Sequence, residues 1–72
     1  MRRIVVDVTQ GAATRQIGIQ ELFLLHFELR EQEELARGAE KLDAERAAAR
    51  AAEAFIDRAF PGVKWRFRVV HY

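Results

Sequence analysis

Cysteine, serine and asparagine are absent from this 72-residue chain, and each absence closes off a class of chemistry. Without cysteine there is no disulfide and no thiolate metal site. The usual hydroxyl and thiol nucleophiles are missing too, which leaves Thr9 and Thr14 as the only aliphatic hydroxyls. The longest uninterrupted apolar run is Leu22 to Leu25, far below the ~20 residues of a membrane span. The basic start Met1-Arg2-Arg3 leads into an apolar stretch that stops at Asp7, too short for a signal peptide. The chain therefore reads as soluble and cytoplasmic. Its net charge is only +1, so it lacks a global field for polyanions, and any nucleic-acid role needs a local patch.

What is present describes a small folded unit. Half of the residues are hydrophobic and 32% are charged, a globular balance. One domain, residues 1–72, is the only count this length supports. A chain of this size buries about 60% of its unfolded surface, so its core is marginal without help. With no disulfide or thiolate-bound metal, the remedies are close packing or self-association. Arginine outnumbers lysine ten to two and alanine is the commonest residue. That bias fits a GC-rich, thermophilic genome, and it equally fits a designed chain, in which alanine, glutamate and arginine fill helices and cysteine is left out.

Periodicity divides the chain. Ile4, Val6 and Val8 alternate with Arg3, Asp7 and Thr9, which predicts a strand with one buried face. Gln10 to Thr14 is a turn in which Gly11 supplies the awkward dihedral. From Leu22 to Arg30 the pattern is contested. The residue types favour a helix, yet at 100° per residue the leucines and phenylalanines spread around the whole circumference. At period two, Phe23, Leu25, Phe27 and Leu29 share one face, so this stretch is predicted as a strand. Glu31 to Phe60 is an alanine-rich helix, with Gly38 as its one weak point, either a kink or a break between two shorter helices. Pro61-Gly62 ends it. Val63 to Tyr72 is a strand, with Val63, Trp65, Phe67 and Val69 alternating against Lys64, Arg66 and Arg68.

These elements predict an α+β fold of order ββαβ: a three-stranded antiparallel sheet, order 2-1-3, packed on one long helix. Thirty helical residues span about 45 Å and nine strand residues about 30 Å, so an unbroken helix overhangs the sheet. The overhang carries Leu35 or the alanine run, and a second copy is expected to cover it unless Gly38 folds the helix back.

Candidate chemistry is sparse. Lys64-Trp65-Arg66-Phe67-Arg68 interleaves cations with aromatics, as single-strand nucleic-acid platforms do. Strand alternation, however, puts the aromatics in the core and the cations outside, where Asp7 and Glu28 can pair with them. His26 and Glu28, joined by Asp7 or His71, are the nearest approach to a metal or acid–base site, and nothing in their spacing makes them converge. No catalytic residue, cofactor or metal site is assigned. The expected function is a small self-associating interaction or scaffold module, a homodimer formed through Leu35, Leu42, Ala48 and Ala52, without catalytic activity. The alternative is a nucleic-acid-binding module using Lys64, Arg66 and Arg68.

Overall fold

The computed structural model describes residues 1–10 and 15–72, the side chains of 15–17 excepted. The turn expected over 10–14 and the side chain of Arg15 lie outside the described residues. Four elements follow one another: β1 (Arg2–Gln10), α1 (Arg15–Ala36), α2 (Lys41–Ala59) and β2 (Lys64–His71). The fold is α+β, but its order is βααβ and its sheet has two antiparallel strands. The expected three-stranded sheet with one long helix is not what forms.

The correction lies in Leu22 to Arg30, which is helix. Ile19, Phe23 and Phe27 are fully buried, four residues apart, as one stripe of a helix requires. Phe23 and Phe27 share a face at period two as well, so they could not separate the two readings. Leu25 and Leu29 do separate them. A strand would bury them beside the phenylalanines, and they are 51% and 55% exposed. Glu28, expected to pair across the sheet, belongs to α1.

Gly38 breaks the long helix in two. It sits at φ +94°, a left-handed conformation that costs glycine nothing sterically. The N–H of Gly38 donates to the carbonyl of Leu35 at 3.0 Å and that of Ala39 to Glu34 at 3.0 Å, the paired bonds of a Schellman end. The chain reverses there, and the length mismatch disappears. With 22 residues in α1 and 19 in α2, the helices span about 33 and 28 Å, close to the roughly 30 Å of β1. At the far end the Phe60 N–H closes α2 on Ile56, and Gly62 at φ +84° turns the chain into β2.

The two strands come from opposite ends of the chain. Ile4 pairs with Val69, Val6 with Phe67 and Val8 with Trp65, all toward the helices. Arg3 opposite Val70, Val5 opposite Arg68 and Asp7 opposite Arg66 take the other face. Thr9 is an extra residue between Val8 and Gln10, and its hydroxyl donates to the Lys64 carbonyl at 3.1 Å. The core lies between the sheet and the helical hairpin: Ile4 and Val6, then Ile19, Phe23 and Phe27, then Ala48, Ala52 and Ile56. Phe23 is its hub, with ring centroids 6.1 Å from Phe27, 5.7 Å from Trp65 and 4.8 Å from Phe67. Truncating Phe23 to alanine should cost about 3–5 kcal/mol, most of the stability available at roughly 0.05–0.15 kcal/mol per residue. Urea unfolding monitored at Trp65 measures it, and a loss below about 1 kcal/mol would remove Phe23 from the centre of the core.

Candidate functional site

Both helices lie on one face of the sheet, so β1 and β2 expose the other. Strand alternation places Arg3, Val5 and Asp7 of β1 there, with Lys64, Arg66, Arg68 and Val70 of β2. Arg3, Lys64, Arg66 and Arg68 are exposed, while Val5, Asp7 and Val70 are half-buried. Four cations thus share a surface with one carboxylate, on a chain whose net charge is +1. Among the described residues none of the four cations makes an ion pair. The interleaved aromatics point the other way. Trp65 and Phe67 pack on Phe23, and the Trp65 indole N–H donates to Asp57 of α2 at 2.8 Å.

The sheet's two edges differ. The Val6 N–H donates to the Gln20 side-chain oxygen at 3.2 Å, and the Gln20 amide donates to the Ile4 carbonyl at 3.3 Å. One side chain of α1 therefore occupies a rung of the outer edge of β1, in the place of a neighbouring strand. Because Ile4 and Val6 turn their backbone groups outward, their partners Val69 and Phe67 do the same on β2. Among the described residues those β2 groups have no hydrogen-bond partner. The outer edge of β2 is the open one.

A second polar cluster joins all four elements. Arg2 of β1 donates to both carboxylate oxygens of Glu31 of α1, at 2.6 and 2.9 Å, and to Glu45 of α2 at 3.2 Å. His71 of β2 reaches the other Glu45 oxygen at 3.3 Å, and the guanidinium lies 4.9 Å from the centre of the Phe27 ring. The bidentate bond from Arg2 holds the Glu31 carboxyl below its ordinary value, although partial burial pushes it the other way. The bond to Glu31 likewise drives the Arg2 guanidinium further up. The cluster ties the strands to the helices and pairs the Arg2 charge with two carboxylates, unlike the cations of the opposite face.

Other residues singled out in the sequence are dispersed. The His26 ring stacks on Phe55 at 3.7 Å between centroids, while Glu28 is exposed elsewhere on α1. His71 is bound to Glu45, and among the described residues no three histidines or carboxylates group as metal ligands. Lys64, Arg66 and Arg68 are brought together on one face. Ala48 and Ala52 are fully buried inside the chain. Leu42 is 56% exposed and Leu35 half-buried, both near Met1 at the Gly38 end. Gln20 carried no signal in the sequence, since its partners are main-chain groups. No helix among the described residues is long and apolar enough to cross a membrane.

The chain matches no family model, no curated protein and no solved structure.

The lowered pKa of Glu31 sets a pH dependence. Its contribution is present above the unfolded carboxyl value, near 4.5, and is lost as pH falls through the folded one. Glu31→Gln should remove that part of the acid sensitivity. At neutral pH it should cost about 1 kcal/mol, below the ~1.5–3 of a fully buried charged hydrogen bond, since the Arg2 side chain keeps 30% of its exposure. Chemical unfolding of both proteins between neutral and acid pH checks it, and parallel stability profiles would contradict it.

Proposed function

We propose that this chain is a small interaction module, without catalytic activity, that binds an anionic partner through the helix-free face of its sheet. One observation carries the reading: Arg3, Lys64, Arg66 and Arg68 stand on that face with Asp7 as the one carboxylate side chain among the described residues. A surface with an excess of one sign on a nearly neutral chain serves attraction to the opposite sign and contributes little to fold stability. The half-buried Val5 and Val70 add apolar contact between the charges. The phosphate backbone of a nucleic acid and a run of carboxylates on a protein both satisfy the electrostatics. Base stacking is not part of the reading, because Trp65 and Phe67 are engaged on the helix side.

The test is binding of labelled polyglutamate and of labelled oligothymidylate at low and high salt. Affinity for one of them should fall steeply as salt rises. The exposed double variant Arg66→Gln, Arg68→Gln should keep its fold and weaken binding about tenfold, as two lost contacts of roughly 0.5–1 kcal/mol each imply. Salt-independent binding, or none to either polyanion, would sink the reading.

Self-association is the second reading, and a separate surface supports it. Met1, at 89% exposure, Leu35 and Leu42 border a recess of ≈ 520 Å³ at the Gly38 end, beside Lys41 and Glu45. A second copy docked there would bury apolar groups and could exchange Lys41 and Glu45 contacts about a two-fold axis. Ala48 and Ala52 already serve packing inside the subunit, so the contact would run through Leu35 and Leu42. Sedimentation equilibrium should give twice the chain mass for the native protein and the chain mass for a folded Leu42→Glu variant. A monomeric native protein at millimolar concentration would end this reading.

A further inference from the structure

We propose that the open edge of β2 takes an extended acidic segment of a partner protein as a third strand, an inference that rests on the anionic-partner reading above. The outward N–H and C=O groups of Phe67 and Val69 are a template for strand addition. The competing edge is partly closed, because Gln20 occupies the Ile4–Val6 rung of β1. Strand addition is therefore directed to one side of the sheet.

The side chains of β2 specify what the added strand must carry. Lys64, Arg66 and Arg68 recur every second residue on the helix-free face, about 6.6 Å apart. An added strand with Asp or Glu at every second position sets a carboxylate opposite or diagonal to each cation. The intervening side chains of that strand fall on the helix side of the sheet, beside Trp65, Phe67 and Val69, which are half-buried. Glu53 and Asp57 border the same recess as Trp65, so a carboxylate on that side meets like charge. Alternation of acidic and apolar residues is thus required, and a uniformly acidic run fits less well.

A second copy of this chain fits the edge poorly. Pairing β2 with its own symmetry mate about Phe67 sets Arg66 opposite Arg68, which like charges disfavour. Two packed helices also need 8–10 Å between axes, against about 4.8 Å between strands. The helical layer is therefore wider than the strand pair. Asp57 and Glu45 reach down from α2 to Trp65 and His71, which places α2 above β2. A second copy added at this edge would bring its own pair of helices alongside α2, whereas a single strand brings none.

The probe is an end-blocked peptide of alternating glutamate and valine, as long as the 8 residues of β2, with binding measured by fluorescence anisotropy on the full chain. Controls are the same peptide N-methylated on the amides that would face β2, a lysine–valine peptide, polyglutamate and oligothymidylate. The native chain should bind the glutamate–valine peptide at least tenfold more tightly than the N-methylated or lysine peptide. Arg66→Glu with Arg68→Glu should reverse the preference toward lysine–valine, a gain that misfolding cannot produce. Equal binding of the N-methylated peptide would overturn the edge and leave the basic face standing. Tight binding of oligothymidylate without the peptide would identify a nucleic-acid partner and overturn the proposal. Binding of neither polyanion nor peptide would remove the anionic-partner reading together with it.

Discussion

Phe23 holds together a sheet that could not stand by itself. The two strands come from opposite ends of the chain, and a lone pair of strands is marginal in water. Joining such distant segments carries a loop-closure cost that their few hydrogen bonds do not offset. The offset comes from the Phe23 ring, which meets Trp65 and Phe67 of β2 and Phe27 of its own helix. The alanines of α2 make this geometry possible. Ala48 and Ala52 are fully buried, and side chains that small let the second helix approach the first closely. Arg2 repeats the arrangement in polar form at the other end, bridging β1 to both helices.

The same constraint decides which surfaces remain free. With both helices on one side, the sheet's other face presents Arg3, Lys64, Arg66 and Arg68 with Val5, Asp7 and Val70 among the described residues. A two-stranded sheet also consists of two edges, since it has no interior strand. α1 leans close enough for Gln20 to occupy a rung of one of them. The charged face and the open edge meet along β2.

Much of this was legible in particular residues. Alternation in Ile4-Val6-Val8 and in Trp65-Phe67-Val69 identified the end segments as strands and separated cations from aromatics. Pro61-Gly62 marked the end of a helix, and Gly38 marked a weak point within one. The stretch from Leu22 to Arg30 was misleading because residues four apart share a face both in a helix and in a strand. Phe23 and Phe27 therefore fitted both readings, and Leu25 and Leu29 had to be placed by their exposure. Helix propensity was the better guide there, but surface leucines hid the stripe that ran from Ile19 through Phe27.

Local chemistry along the chain determined the strands at either end, the alanine-rich helix after Gly38, the helix stop and the separation of charge from aromatic side chains in β2. These follow from periodicity and backbone preference, which act within a few residues. Tertiary structure alone decided that Gly38 reverses the chain and that α1 fills the place beside Ala48 and Ala52. It also decided that Gln20 occupies a rung of one edge while the matching rung of the other has no partner among the described residues. Each of those outcomes depends on contacts between residues far apart in sequence, where local pattern carries no information about distance.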